Sequence, residues 1–333
     1  MKPDKKPQPK TKTWKKVLRW TIQIAIIGAI VFFLTRTVVK NWEQVKDFQW
    51  NFNPWFLILS FVALGVTLFY MIVLWRGLLI KLGGSVGLPS AIRIFAISSM
   101  GRYLPGKVWQ IAGMVYLGQK EGVRAETGVW AAVLAQILAV LAGILFFSVS
   151  LIVEPQRILL PFMKSLGVNN FSPYWLLLPV LLVLVLIHPR ILKGFTNWLL
   201  RILKREPLEF NLSYIRLLSF FLLYVLSWFF YGITFYLFVS SIHPVPLTDW
   251  FVISGSFAAA YIVGLLALFV PGGLGVREGI LALFLAGLVG SGVAVAISFG
   301  QRLWFTIIEL TLVLIAVIFM RRKNVKEETD EKK

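Results

Sequence analysis

The sequence predicts an all-α polytopic membrane protein of about six to eight transmembrane helices, with two of its segments broken by Gly and Pro. Three observations carry this prediction. Apolar residues make up 58% of the 333 residues and charged ones 15%, with a mean hydropathy of +0.79, whereas soluble chains sit near half apolar and a quarter charged. Apolar runs long enough to cross ~30 Å of hydrocarbon recur along the chain. The 34 Lys and Arg outnumber the 15 Asp and Glu, for a net charge of +19, and the bases lie between the apolar runs. That is the pattern of cytoplasmic loops retained by their positive charge rather than of a soluble nucleic-acid-binding face. The absence of cysteine excludes disulfides, thiolate metal sites and cysteine nucleophiles. The two histidines, His188 and His243, each precede a proline near the end of an apolar run and read as loop or interface residues.

Residues 1–16 form a basic tail; Met1–Arg19 carries eight Lys and Arg against one acid, Asp4. The apolar run Ile22–Leu34 lacks a small-residue cleavage site after it and reads as an uncleaved first span. Further spans are expected at about Pro54–Leu74, Thr127–Val153, Ser172–Ile187 (short), Tyr214–Ser240 and Val293–Met320, within one membrane domain over 17–320. A charged tail, 321–333, follows. Seven bases fall in Trp75–Glu126 and none in Ser241–Asp249, so both termini are expected in the cytoplasm of a cell bounded by this membrane. Ile191–Lys204 places Leu and Ile on one face and bases on the other, and is expected to lie along the cytoplasmic interface.

Two apolar stretches do not fit a simple span. About 89–118 is broken by Gly101-Arg102-Tyr103-Leu104-Pro105-Gly106-Lys107, and about 249–290 by Pro271-Gly272-Gly273-Leu274-Gly275-Val276-Arg277-Glu278-Gly279. Six full spans satisfy both cytoplasmic termini if each broken stretch is a hairpin of two half-helices, the first entering from the cytoplasm and the second from outside. Eight full spans, with Trp250–Val270 and Ile280–Gly290 crossing separately, give the same parity. Pro105 and Pro271 stand 166 residues apart, almost half the chain. Paired interruptions in two halves are the trace of an inverted-repeat transporter, because broken backbone at membrane depth is tolerated only inside protein or along a wet cavity. Two ordinary helix kinks are the plainer alternative.

Gly101-x4-Gly106-Lys107 is one residue short of a phosphate-binding loop and has Val108 where a Ser or Thr would ligate Mg²⁺. Gly273-x-Gly275-x-x-Glu278 likewise misses the last glycine of the dinucleotide fingerprint, and neither has a βαβ context. What they share is glycine-exposed backbone N–H groups beside a cation, an arrangement suited to phosphate. Arg102, Lys107 and Arg277 flank the breaks, and an arginine can clamp phosphate with two donors. Snorkelling to the surface is the competing reading for Arg102 and Lys107. Asp249 and Arg216 fall near span ends and read as interfacial. Glu309 lies deep in the last span, seven residues after Arg302, so both share one side of a helix. A lone carboxylate there would cost ~3 kcal/mol by insertion scales. Glu309 is therefore either protonated or paired with Arg302, Arg277 or Arg102, and the pair Glu309–Arg302 is assigned to holding a cavity open.

The segments at 101–107 and 270–279 together resemble the two signature segments of the lysylphosphatidylglycerol synthase transmembrane region family, also called the flippase-like domain or UPF0104 family. The resemblance covers about Trp14 to Met320. It implies a flippase-like protein that moves a phosphate-containing lipid (phospholipid, aminoacyl-phospholipid or polyprenyl-linked) between leaflets. The soluble aminoacyl-transferase domain of the best-known members has no counterpart before Lys333. Carried onto this chain, the motif positions are Arg102, Pro105, Gly106, Pro271, Gly272, Gly273, Gly275 and Glu278; Lys107, Arg277, Arg302 and Glu309 join them as candidate pathway residues. No cofactor or metal is expected, and no nucleophile–base pair or paired carboxylate points to an enzyme. The expected partner is a lipid with an anionic headgroup. A second reading makes the chain a non-transporting partner of a separate lipid-modifying transferase.

Overall fold

The computed structural model describes residues 50–104, 108–159, 173–202, 212–267, 270 and 273–330, with positions 39, 43, 46 and 48 before them. The expected first span, Ile22–Leu34, lies outside the described residues. Every regular element among the described residues is helical: α1 Pro54–Lys81, α2 Leu88–Ser99, α3 Trp109–Lys120, α4 Ala125–Val153, α5 Leu177–Leu186, α6 Pro189–Ile202, α7 Tyr214–Ile242, α8 Trp250–Leu266, α9 Val276–Val289 and α10 Ser291–Asp330. Five are long and apolar enough to cross a membrane: α1, α4, α7, α8 with the turn before it, and α10 over Ser291–Ile318. This is a multi-pass membrane protein.

Local chemistry sets the helix ends. Asn53 caps α1 by accepting from the N–H groups of Trp55 (3.0 Å) and Phe56 (3.3 Å), and Pro54 supplies a pre-set φ at the first helical position. Lipid-facing and protein-facing sides of α1 separate cleanly. Leu64, Leu68, Ile72, Trp75 and Leu78 are buried while Trp55, Ile58, Val62, Val66 and Val73 are exposed. An exposed stripe of that kind is stable only against hydrocarbon.

The centre of the bundle is α4, α7 and α8, each packed on the other two. Small residues bring them close, as expected where lipid removes the hydrophobic drive between helices. A Cβ on Gly143 would sit 2.7 Å from the Trp228 ring, one on Gly255 2.6 Å from Ser150 Cβ, and one on Gly232 2.7 Å from Ser254 Oγ. Trp228 Nε1 donates to the Ala139 carbonyl at 2.8 Å, pinning α7 on α4. Around this centre, α10 packs against α9, α2 and α1. One long helix therefore touches both broken stretches.

Two regions are not single straight spans. The stretch read as a fourth span, Ser172–Ile187, is a 3-10 turn at Pro173–Leu176 followed by the ten residues of α5. Ten residues rise only ~15 Å. Pro189 stops α5 because it biases His188 out of the helical region, and the chain bends by 74° into α6. By length and composition α5 and α6 together reach span length. The two broken stretches also differ. The first has arms of 12 residues each, α2 and α3, which fit half-helices. In the second, α8 with its preceding turn makes 20 residues, enough to cross alone, against 14 for α9.

Candidate functional site

The first break is shaped by a close backbone approach. A Cβ on Gly101 would lie 2.6 Å from the backbone N of Gln110, so only glycine lets the 3-10 turn Met100–Tyr103 fold against the start of α3. That turn aims Arg102 and Tyr103 at α10. Arg102 Nη1 lies 2.6 Å from Glu309 Oε1, and the Tyr103 hydroxyl donates to Glu309 Oε2 at 2.6 Å while sitting 3.2 Å from Thr306 Oγ1. Pro105, Gly106 and Lys107 lie outside the described residues.

The second break needs glycine for a different reason. Gly273 (φ 68°) and Gly275 (φ 79°) take left-handed backbone that L side chains rarely adopt. A Cβ on Gly273 would also meet the Gly264 carbonyl at 2.7 Å. The chain thus runs tightly over the end of α8 before entering α9. Glu278, at the third position of α9, accepts from the Gly275 N–H at 2.5 Å and so caps its own helix. Pro271 and Gly272 lie outside the described residues.

These two breaks meet at α10. Arg302 Nη1 stands 3.6 Å from Glu278 Oε1, an ion pair beyond hydrogen-bond distance, and its guanidinium carbon lies 5.4 Å from the Tyr103 ring centre. Arg302 and Glu309 both fall in the middle third of the 28-residue span Ser291–Ile318. The assigned pair Glu309–Arg302 is therefore corrected. Both residues do share a side of α10, but seven residues separate them by ~10.5 Å of rise, beyond the reach of helical neighbours at three or four. Each pairs across to a different break instead, Glu309 with Arg102 and Arg302 with Glu278. The snorkelling reading for Arg102 gives way to this pairing.

Arg277 is the exception. It is 6% exposed, and its guanidinium carbon lies 5.1 Å from the ring centre of Phe257 and 5.3 Å from those of Tyr261 and Phe305. Phe257, Tyr261 and Gly264 form one face of α8, and a Cβ on Gly264 would sit 3.0 Å from the Arg277 Cβ. Cation–π contact partly replaces the missing counter-charge. Nevertheless Nε and Nη2 of Arg277 are buried with no hydrogen-bond partner among the described residues. The side chains of Arg302 and Arg102 are 14% and 23% exposed.

Of the expected site residues, the structure brings together Arg102, Gly273, Gly275, Arg277, Glu278, Arg302 and Glu309. Tyr103, Phe257, Tyr261, Phe305 and Thr306 were not expected. Tyr103 stood inside the first signature segment beside Arg102, and Phe257 and Tyr261 share helical spacing, but nothing in the sequence says which aromatic residues face a cation. No group of three or more potential metal ligands occurs among the described residues. At the bundle's ends, Arg93 pairs with Glu121 to tie α2 to α3, and Arg157 donates to Asp249 at 2.7 Å. That bond to the Asp249 carboxylate raises the Arg157 pKa above its ordinary value.

A family model described as the lysylphosphatidylglycerol synthase TM region matches residues 20–325. The chain belongs to this family. The match runs across both breaks and every described residue of the buried cluster. No curated protein matches the chain. The family places the chain among integral membrane proteins tied to lipid handling.

Proposed function

We propose that this protein of the lysylphosphatidylglycerol synthase TM region family moves a lipid with a phosphate-containing headgroup between leaflets, by a path along the two breaks. The single observation that carries this reading is Arg277. A buried guanidinium with two donors unpartnered among the described residues is costly at membrane depth, and a phosphate accepting from Nε and Nη2 would satisfy both at once. The headgroup enters past Arg102, whose side chain is more exposed than those of Arg302, Glu278 and Glu309. It exchanges its water for arginine donors, and reaches Arg277 without its charge ever facing hydrocarbon. Glu278 and Glu309 hold Arg302 and Arg102 in place when no headgroup is bound. None of these steps makes or breaks a covalent bond. We place the protein in the cytoplasmic membrane with both termini inside, as the loop charges favour.

The test is a leaflet-resolved assay in liposomes holding the purified protein, with fluorescent phosphatidylglycerol, its lysylated form and a polyprenyl phosphate. Arg277→Gln should slow scrambling of the accepted lipid by roughly tenfold or more, as expected for losing hydrogen bonds from a charged donor. Unchanged scrambling in that variant sinks this site. Scrambling of none of the lipids by the wild type, together with stable capture of a transferase, turns the choice to the partner reading.

A further inference from the structure

The two breaks differ in how they are tied to the rest of the protein. The first hairpin, α2 with α3, is held to itself at base, middle and tip. At the base, Glu121 accepts from Ser90 Oγ at 2.6 Å and pairs with Arg93. Midway, a Cβ on Gly113 would lie 3.2 Å from Ser98 Cβ, and at the tip Gly101 abuts the backbone of Gln110. The hairpin buries mostly small residues: Ala91, Ala96, Ser98 and Ser99 beside Ile94 on α2, and only Met114 and Gly118 on α3. A surface with few large side chains resists sliding less than an interdigitated one. Both connections to the neighbouring helices, 82–87 and 121–124, leave from the base. Gly83 (φ 87°) and Gly122 (φ 82°) end α1 and α3 in left-handed backbone, and a Cβ on either would meet nothing within 4 Å. The second break is built the other way. Its arm α8 is locked into the central bundle, with Phe257 stacked at 5.0 Å on Phe235, Trp250 5.9 Å from Phe146, and Asp249 held by Arg157.

We infer that α2–α3 is a gate: the hairpin swings as one rigid piece about Gly83 and Gly122 against a fixed body of α4, α7 and α8, making and breaking the contact of Arg102 and Tyr103 with Glu309. The inference takes its purpose from the transport reading, while the motion itself is measured separately. Each arm has 12 residues and is therefore ~18 Å long, so a turn of ~10° moves the tip by ~3 Å. That displacement takes the Tyr103 hydroxyl, 2.6 Å from Glu309 in the closed arrangement, beyond hydrogen-bond reach. It also carries the Tyr103 ring away from Arg302, whose guanidinium carbon lies 5.4 Å from the ring centre. The Arg302–Glu278 pair at the second break is thereby uncovered. The bonds of Glu121 to α2 keep the two arms together while the tip moves.

The absence of cysteine allows the hairpin to be pinned at chosen points. In Val115→Cys/Gly128→Cys the Cβ atoms stand 3.9 Å apart, within disulfide range, and the bridge fixes α3 to α4. In Ser98→Cys/Gly113→Cys the bridge joins only the two arms. In the liposome assay, oxidising the first pair should slow lipid scrambling by roughly tenfold or more, with recovery on reduction, whereas oxidising the second should leave the rate within about twofold. Spin labels follow the motion without transport, in nanodiscs and by pulsed electron resonance. Val108→Cys near the tip, paired with Leu247→Cys, should give two distances or one broad distribution. Leu222→Cys on α7, paired with Leu247→Cys, should give one narrow distance. All three positions are exposed. A single narrow distance from Val108 overturns the gate, as does unimpeded scrambling by the oxidised Val115–Gly128 pair. Equal slowing by both bridges overturns the rigid hairpin. If the Val115→Cys/Gly128→Cys protein does not fold, the spin-label distances decide alone. Two distances from Val108 with no scrambling by the wild type keep the moving hairpin and overturn the transport reading.

Discussion

Tyr103 shows how much one hydroxyl can matter in this cluster. Its O–H is the one hydrogen bond shown to Glu309 among the described residues, since the 2.6 Å contact of Arg102 with Oε1 lacks hydrogen-bond geometry. Tyr103→Phe keeps the ring under Arg302 and removes only that donor. It should cost about 1–3 kcal/mol for a buried acceptor left unsatisfied, seen as a lower unfolding temperature in detergent. Arg277 is the opposite case. It donates from Nε and Nη2 to nothing among the described residues, so Arg277→Met, which keeps much of the length and drops the charge, should leave stability unchanged or raise it. A variant of that kind that is thermally sound yet inactive in lipid scrambling would separate the ligand role of Arg277 from a structural one.

Elements carry predictions of a different kind. The close approaches of α4, α7 and α8 at Gly143 and Gly255 leave no room for a side chain, so Gly255→Leu should destabilise by about 1–3 kcal/mol through overpacking. Gly65 on α1 is the control, because a Cβ there meets nothing within 4 Å. α6 presents Arg190, Lys193 and Arg201 along one cleft with Asn197 and Trp198, while Leu192 and Thr196 are buried against the bundle and Phe195 and Ile202 are exposed. Bases of this kind attract anionic headgroups at ~1 kcal/mol each. Neutralising all three to Gln should reduce retention of anionic lipid by roughly tenfold or more in native mass spectra, with neutral lipid unaffected. Equal retention would show that the face of α6 is not at the headgroups.

For the whole molecule, α10 is the element that joins the breaks. It contributes Arg302, Phe305, Thr306 and Glu309 to one cluster, with Arg102 and Tyr103 arriving from one break and Arg277 and Glu278 from the other. The chain contains no cysteine, so its topology is directly testable with single introduced cysteines. Leu247→Cys, in the 3-10 turn before α8 where Leu247 is 73% exposed, should react with a membrane-impermeant maleimide in intact cells. Trp198→Cys on α6 should react only after permeabilisation, and the reverse pattern would invert the proposed orientation.

Spans, breaks and the inventory of buried charge were all determined by the sequence itself, because each is a local property. Hydropathy over twenty residues identifies α1, α4, α7 and α10. Pro and Gly mark the interruptions wherever the chain later lies, and an ionisable residue within an apolar run is costly in any membrane fold. Local rules failed where helical periodicity put Arg302 and Glu309 on one side of α10 without saying what stood opposite. Which carboxylate meets which guanidinium depends on α2 and α9 both packing on α10, the first through contacts between residues some two hundred positions apart. Only the tertiary structure decided that each glutamate pairs with an arginine of another element and that Arg277, ringed by Phe257, Tyr261 and Phe305, has two donors unpartnered among the described residues. Sequence order carries composition and period, whereas the pairing of buried charges depends on neighbours that only packing defines.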